Sequence, residues 1–173
     1  MHHTLIAGIG NVLMGDDAIG PTVVAHLAAR YAFPEGVKVV DLGTPGVDLA
    51  LHLAGVRTVV LIDALVDPAM PPGGIRVVGR TEILAGAAVS GMDLHAAGVR
   101  EALLLAESLG GAPEEVCLIG VTVESCVLGN GLCGGVRAAV LEAVDVVEAE
   151  LRRVGVPYAE RVPAGIPDVW WER

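Results

Sequence analysis

The chain alternates short apolar runs with longer stretches in which apolar residues recur every three or four positions. The short runs are rich in Val, Ile and Leu and predict five strands: Thr4–Gly10, Val37–Gly43, Thr58–Ala64, Ile75–Gly79 and Glu115–Val123. The third and fifth of these runs are almost wholly apolar, which is typical of parallel strands covered on both faces.

The longer stretches predict four helices: Gly20–Phe33, Val47–Gly55, Asp93–Gly110 and a closing helix over 134–154. Pro21 suits the first position of the first helix, and Asp93 and Gly110 suit the two ends of the third. This alternation of strands and helices predicts a three-layer α/β fold with a mainly parallel sheet.

Length and composition favour a single domain over residues 1–173, with a core of about 4–154 and a tail over 155–173. Hydrophobic residues make up 53% of the chain, yet no run reaches the ~18 apolar residues of a membrane span, and we identify no signal peptide. The formal net charge of −10 argues against nucleic acid as a partner.

Three cysteines without metal-type spacing favour free thiols, all buried or half-buried, in a reducing, cytoplasmic setting. We expect a monomer. The tail contains Trp170 and Trp171, and the sequence leaves open whether it packs on its own domain or docks a partner.

The segment GIGNVLMGDDAIGP, residues 8–21, places a glycine-rich turn and two adjacent aspartates between the first strand and the first helix. It is not a dinucleotide fingerprint, because Leu13 stands where the third glycine is required, and it lacks the Lys of a phosphate-binding P-loop. Two carboxylates at this position would repel a phosphate. The sequence of this turn therefore favours binding of a cation or a proton over binding of an anion.

Four side chains that can bind a metal are predicted to lie at one edge of the sheet. Open parallel sheets place their sites at the carboxyl ends of the strands, where the strand order reverses. The candidates there are Asp17 after the first strand, Asp41 and Asp63 at the ends of the second and third, and His95 at the start of the long helix. Two carboxylates and an imidazole with open positions suit a catalytic rather than a structural ion.

Each candidate also has a structural interpretation. One of Asp16 and Asp17 is expected to cap the following helix, and we assign the structural role to Asp16 and the cleft to Asp17. Asp41 is equally compatible with an Asx-type turn. His95 alone is compatible with an ordinary helix start, whereas Asp63 at the end of an apolar strand needs a partner if it is buried.

The segments GIGNVLMGDDAIGP, VVDLGTPGVDL, VVLIDAL, a histidine near position 95 and LIGVTVE…GNGL occur in the order found in hydrogenase maturation endopeptidases, and the chain resembles that family from about Thr4 to Leu151. The resemblance implies a phosphorylase/hydrolase-like α/β fold. It also implies removal of the C-terminal extension from the large-subunit precursor of a [NiFe] hydrogenase.

By the same resemblance, the nickel ligands fall on Asp17, Asp63 and His95, while Asp41 and Thr44 belong to a motif that holds the substrate or the attacking water. Nickel is then supplied by the substrate, and no tightly bound resting metal is expected. Two features depart from the family pattern: Asp17 stands where Glu is frequent, and Ala18 where Gly is common.

Two other functions remain as alternatives at this point. One is a nickel carrier or accessory protein without hydrolytic activity, which would bind nickel tightly and change the mass of no partner. The other is a flavodoxin-like electron carrier, which the acidic first loop and the scarcity of aromatic residues disfavour.

Overall fold

The computed structural model of the chain describes residues 3–85, 94–129 and 131–172, with the backbone alone for residues 94–97. Its helices and strands, in chain order, are β1 (Thr4–Gly8), α1 (Ile19–Arg30), β2 (Tyr31–Ala32), β3 (Val37–Asp41), α2 (Leu49–Leu53), β4 (Thr58–Leu65), β5 (Ile75–Gly79), α3 (Arg80–Ala85), α4 (Leu94–Ser108), β6 (Glu115–Thr122), α5 (Gly134–Arg153) and β7 (Ala159–Glu160).

Five strands form the central sheet in the order β3-β1-β4-β6-β5. Strands β3, β1, β4 and β6 are parallel, and β5 closes one edge antiparallel to β6. At the carboxyl end of β1, Gly8 is level with Asp41 on one side and with Ile62 on the other. The register thus aligns the strand ends from which the candidate residues project.

Helices cover both faces of this sheet, which confirms the predicted three-layer α/β fold. Along β4, Val60 and Ile62 join the cluster formed with α1 and α5, whereas Val59 and Leu61 join the cluster formed with α2 and α4. The period of two in a strand explains this division, and coverage on both faces explains why the run is continuously apolar.

Within the described residues, the structure differs from the sequence prediction chiefly at three places; the predicted helix cap at Asp93 lies outside them. Helix α1 begins at Ile19, so Pro21 is its third residue rather than its first; the first four N–H groups of a helix have no intrahelical acceptor, so proline is tolerated there. Helix α3 follows β5 without a loop and was not predicted, because six residues are too few to show a helical period. Strands β2 and β7 form a separate two-residue antiparallel pair.

The tail packs on its own domain. The Arg161 N–H donates to the Arg30 carbonyl at 2.9 Å, and the Tyr158 hydroxyl donates to Glu148 of α5 at 2.9 Å. Trp171 packs against the α1/α5 cluster. In the part of the chain that the structure describes, no helix is long and apolar enough to cross a membrane.

Candidate active site

The strand order reverses between β1 and β4, because the chain leaves β1 for β3 on one side and next enters β4 on the other. In an open parallel sheet, the crevice outside the carboxyl ends at this point is where ligands bind. The loop after β1 and the end of β4 form its two sides.

Close packing of two glycines holds the start of α1 against this crevice. A Cβ added to Gly20 would lie 2.3 Å from the Ile9 carbonyl oxygen and 2.5 Å from that of Ile62, and one added to Gly8 would lie 2.4 Å from the Gly20 carbonyl oxygen. These distances exclude any side chain at both positions. Because Gly8 and Gly20 have no side chains, the turn Gly15–Ala18, which carries both aspartates, can pack against the ends of β1 and β4.

Asp16 joins this turn to the segment that follows β6. Its carboxylate is buried and accepts the backbone N–H groups of Glu124 at 2.9 Å, Ser125 at 3.1 Å and Cys133 at 2.6 Å. Burial by itself raises the pKa of Asp16, but the three backbone hydrogen bonds outweigh it and hold that pKa below its usual value. The structural role assigned to Asp16 is thus confirmed.

Neither aspartate caps α1, which corrects the capping expectation. The residue before the helix is Ala18, and no side chain caps the helix there. The carboxylate of Asp16 binds backbone groups far away in the sequence, and Asp17 turns back towards the loop that precedes it.

Asp16→Asn is expected to lower the free energy of unfolding at pH 7 by about 3 kcal/mol, because an amide cannot accept three buried N–H groups as a carboxylate does. Since the folded pKa is lowered, the stabilisation is present above the unfolded pKa and is lost as the pH falls through the folded pKa. Urea unfolding at pH 7 and near pH 3 should therefore show a smaller difference at the lower pH. A difference of the same size at both pH values contradicts the role of the carboxylate charge.

Asp17 is also buried, with 6% of its surface exposed, and its Oδ2 accepts the Asn11 N–H at 2.7 Å. Asp17 lines a pocket of about 260 Å³, which we call the acid pocket. The other residues lining the acid pocket are Asn11, Met14, Thr44, Ala64, Val66, Val123 and Cys126. The carboxylate is therefore held in a fixed orientation at the edge of an open space.

Asp63 lies in β4, one residue beyond the position level with the end of β1, and only 2% of its surface is exposed. It alternates with Val59 and Leu61, which places its side chain on the sheet face covered by α2 and α4. Its Oδ1 accepts the Ala64 N–H at 2.8 Å. This bond supplies a partner of the kind that burial of a carboxylate requires.

Asp41 lies on the other side of β1 and is exposed. Its Oδ1 accepts the Gly43 N–H at 2.8 Å, which is the Asx-type turn considered from the sequence. The Gly43 carbonyl in turn accepts the Gly10 N–H at 2.9 Å, and Gly43 has a φ of 58° that favours glycine. Asp41 therefore shapes the turn that carries Thr44 to the edge of the acid pocket.

His95 is the second residue of α4, the helix that packs on the same sheet face as Asp63. The prediction for its imidazole lies outside the described side chains. Among the side chains that are described, no three His, Cys, Asp or Glu residues form a group that could hold a metal ion. The structure thus places Asp17 in the acid pocket, Asp63 in β4 one residue beyond the position level with the end of β1, and Asp41 at the end of the neighbouring β3; Asp63 is not among the described residues that line the acid pocket.

The segment after β6 was not recognised as part of this site from residue types. Val123 and Cys126 line the acid pocket, and Cys126 is exposed, contrary to the expectation that all three thiols are buried or half-buried. Cys117 is buried, and burial chiefly raises its pKa to about 12. The signal that was available is the strand-end rule itself, since β6 is parallel to β4 and ends at the same edge.

Comparison with known proteins agrees with this architecture. Residues 21–150 match the family model described as hydrogenase maturation protease. The chain is 37% identical over 158 residues to the hydrogenase expression/formation protein HoxM of Azotobacter vinelandii, covering 91% of this chain and 76% of that protein. It is 32% identical over 152 residues to the hydrogenase 2 maturation protease of Escherichia coli, covering 88% of this chain and 92% of that protein.

Solved structures give the same result. The hydrogenase maturating endopeptidase HybD from Escherichia coli superimposes with a TM-score of 0.84 at 31% identity, covering 95% of this chain and all of that one (100%). The [NiFe] hydrogenase maturation protease HybD from Thermococcus kodakarensis gives a TM-score of 0.69 at 30% identity, covering 87% and 99%. The chain therefore belongs to the hydrogenase maturation protease family and is a peptide-bond hydrolase.

Proposed function

We propose that this enzyme removes the C-terminal extension of a [NiFe]-hydrogenase large-subunit precursor after nickel has been inserted, and that it recognises the nickel carried by that precursor. The observation that carries the proposal is the pair of buried carboxylates, Asp17 and Asp63, at the carboxyl ends of β1 and β4. The relatives' names support the substrate class, since one of them is a [NiFe] hydrogenase maturation protease.

The chemistry of the two carboxylates suits a divalent cation. A backbone N–H helps to orient each of them, from Asn11 for Asp17 and from Ala64 for Asp63. An ionised carboxylate has about four lone-pair positions, so such a hydrogen bond orients it without preventing it from ligating a cation. With His95 as the third ligand, the set contains oxygen and nitrogen donors but no thiolate, which makes only a modest resting site. Affinity then rises when ligands of the precursor complete the coordination.

Hydrolysis adds the oxygen of a water to the scissile carbonyl carbon, breaks the C–N bond and passes a proton to the leaving amine. A nickel ion bound there supplies Lewis acidity towards the carbonyl or the water. Asp17 and Asp63 hold the precursor in place, and a carboxylate that is not ligating can accept the proton of the water as a general base. We assign Asp41 to the positioning of Thr44 against the bound peptide.

A precursor prepared without nickel is expected to stay uncut, because its peptide then lacks the group that Asp17, Asp63 and His95 bind. The experiment incubates the enzyme with nickel-free and nickel-loaded precursor and follows the precursor's mass. A loss of the extension from the loaded form only is the expected result. Processing of both forms at similar rates contradicts recognition through nickel.

The same measurement separates the protease from the nickel carrier considered above. A carrier leaves the precursor's mass unchanged in both samples and retains stoichiometric nickel after dialysis. A protease that obtains nickel with its substrate shortens the precursor and retains little nickel when dialysed alone.

A further inference from the structure

A second pocket, which we call the apolar pocket, lies beside the acid pocket and has a volume of about 170 Å³. Ile9, Leu49 and Val99 supply buried aliphatic walls, and Gly98 of α4 forms part of its lining. Thr44 lines both pockets. The two spaces therefore adjoin at one residue.

The walls of this pocket decide what it can bind. Among its described lining residues, Thr44 is the single polar side chain, and none is charged. Apolar cavities of roughly 150 Å³ hold a benzene-sized group and are poorly suited to water, which needs two to four polar partners. The pocket thus matches one branched aliphatic or single-ring side chain.

Building on the proposed proteolytic function, we propose that the apolar pocket is a specificity subsite that takes an apolar side chain of the precursor next to the scissile bond. A peptide whose scissile carbonyl lies in the acid pocket has its neighbouring Cα atoms about 3.8 Å away. Because Thr44 lines both pockets, the apolar pocket is close enough for that side chain to reach it.

The negative charge of the protein also favours an apolar side chain over an acidic one at this position. Asp17 lines the acid pocket, and the chain as a whole carries a formal net charge of −10. An acidic residue beside the cut would meet this negative field and would also have to be buried without a partner. The subsite thus selects for an apolar side chain and against an acidic one.

Gly98 offers a way to fill the subsite without disturbing the core. A Cβ added to it meets no heavy atom of the described residues within 4 Å, and Gly98 lies inside α4, where glycine is a poor helix former. Gly98→Leu is therefore expected to fold and to narrow the pocket. Gly79→Leu is the matched control, because a Cβ at Gly79 also meets none of the described heavy atoms within 4 Å. Gly79 lies level with Cys117, near the start of β6 and away from the site.

The experiment uses nickel-loaded precursors that carry Leu, Ala or Asp at each position flanking the cut, and it measures kcat/KM. At one of these positions we expect the unmodified enzyme to favour Leu over Ala by about 10-fold and to cut the Asp precursor least. Gly98→Leu should lose that preference while still cutting the Ala precursor, and Gly79→Leu should keep it.

Equal rates for Leu, Ala and Asp at every position refute the subsite and leave the proposed function standing. A Gly98→Leu enzyme that keeps the full preference for Leu also refutes it. An unmodified enzyme that cuts none of the precursors overturns the proposed function and the subsite together.

Discussion

Asp17→Asn or Asp63→Asn is expected to lower kcat/KM for removal of the precursor's extension by about 10³-fold while the chain stays folded. Asparagine keeps an acceptor oxygen for the backbone N–H that orients each side chain, but it removes the charge needed to ligate a cation or accept a proton. Cleavage is followed by the mass of a nickel-loaded precursor, and folding by circular dichroism and urea unfolding.

Asp145→Asn is the matched control for this charge removal. Asp145 is exposed on α5 and pairs with Arg30 at 3.3 Å, a surface ion pair worth about 0–1 kcal/mol. The Asp145→Asn enzyme should cleave the precursor with the same kcat/KM as the unmodified enzyme. Full cleavage by the triple variant Asp17→Asn, Asp63→Asn, His95→Ala would end the assignment of the site.

Gly20→Ala is expected to destabilise the fold by about 3 kcal/mol or to prevent folding. The added Cβ would lie 2.3 Å and 2.5 Å from two backbone carbonyl oxygens, and neither oxygen can move without displacing β1 or β4. Urea unfolding measures the loss of stability. Any folded fraction should also cleave slowly, because a displaced α1 shifts the preceding turn and moves Asp17 in the acid pocket.

Gly134→Ala is the control, since Gly134 also lies in the first turn of a helix and a Cβ there meets no heavy atom within 4 Å. It should leave stability unchanged within about 0.5 kcal/mol or raise it slightly, because alanine is the better helix former. Equal stability of Gly20→Ala and Gly134→Ala would contradict the close-packing argument.

Much of the fold was predictable because its signals are local. The predicted strand over Ile75–Gly79 agrees with β5 at both ends, and the predicted closing helix over 134–154 ends one residue after α5. The strand-end rule also predicted that Asp17 follows β1 and that Asp63 lies near the carboxyl end of β4, since parallel strands place their carboxyl ends at one edge whatever their sequence separation.

The remainder depends on contacts between residues far apart in the sequence. The hydrogen bonds from Glu124, Ser125 and Cys133 explain why Asp16 does not cap α1, and no local pattern signals them. The bond from the Ala64 N–H to the buried Asp63 carboxylate is, by contrast, between neighbours in the sequence, but residue types alone do not reveal it. At Asp16, tertiary hydrogen bonds override the local preference for a helix cap.

The link between Asp16 and the segment after β6 also affects when the turn around Asp16 is completed during synthesis. A nascent chain that ends before Cys133 has already made both carboxylates and β1 to β6, yet the turn around Asp16 still lacks one of its three donors. The turn that carries Asp16 and Asp17 therefore gains its last donor only after the ribosome has passed Cys133.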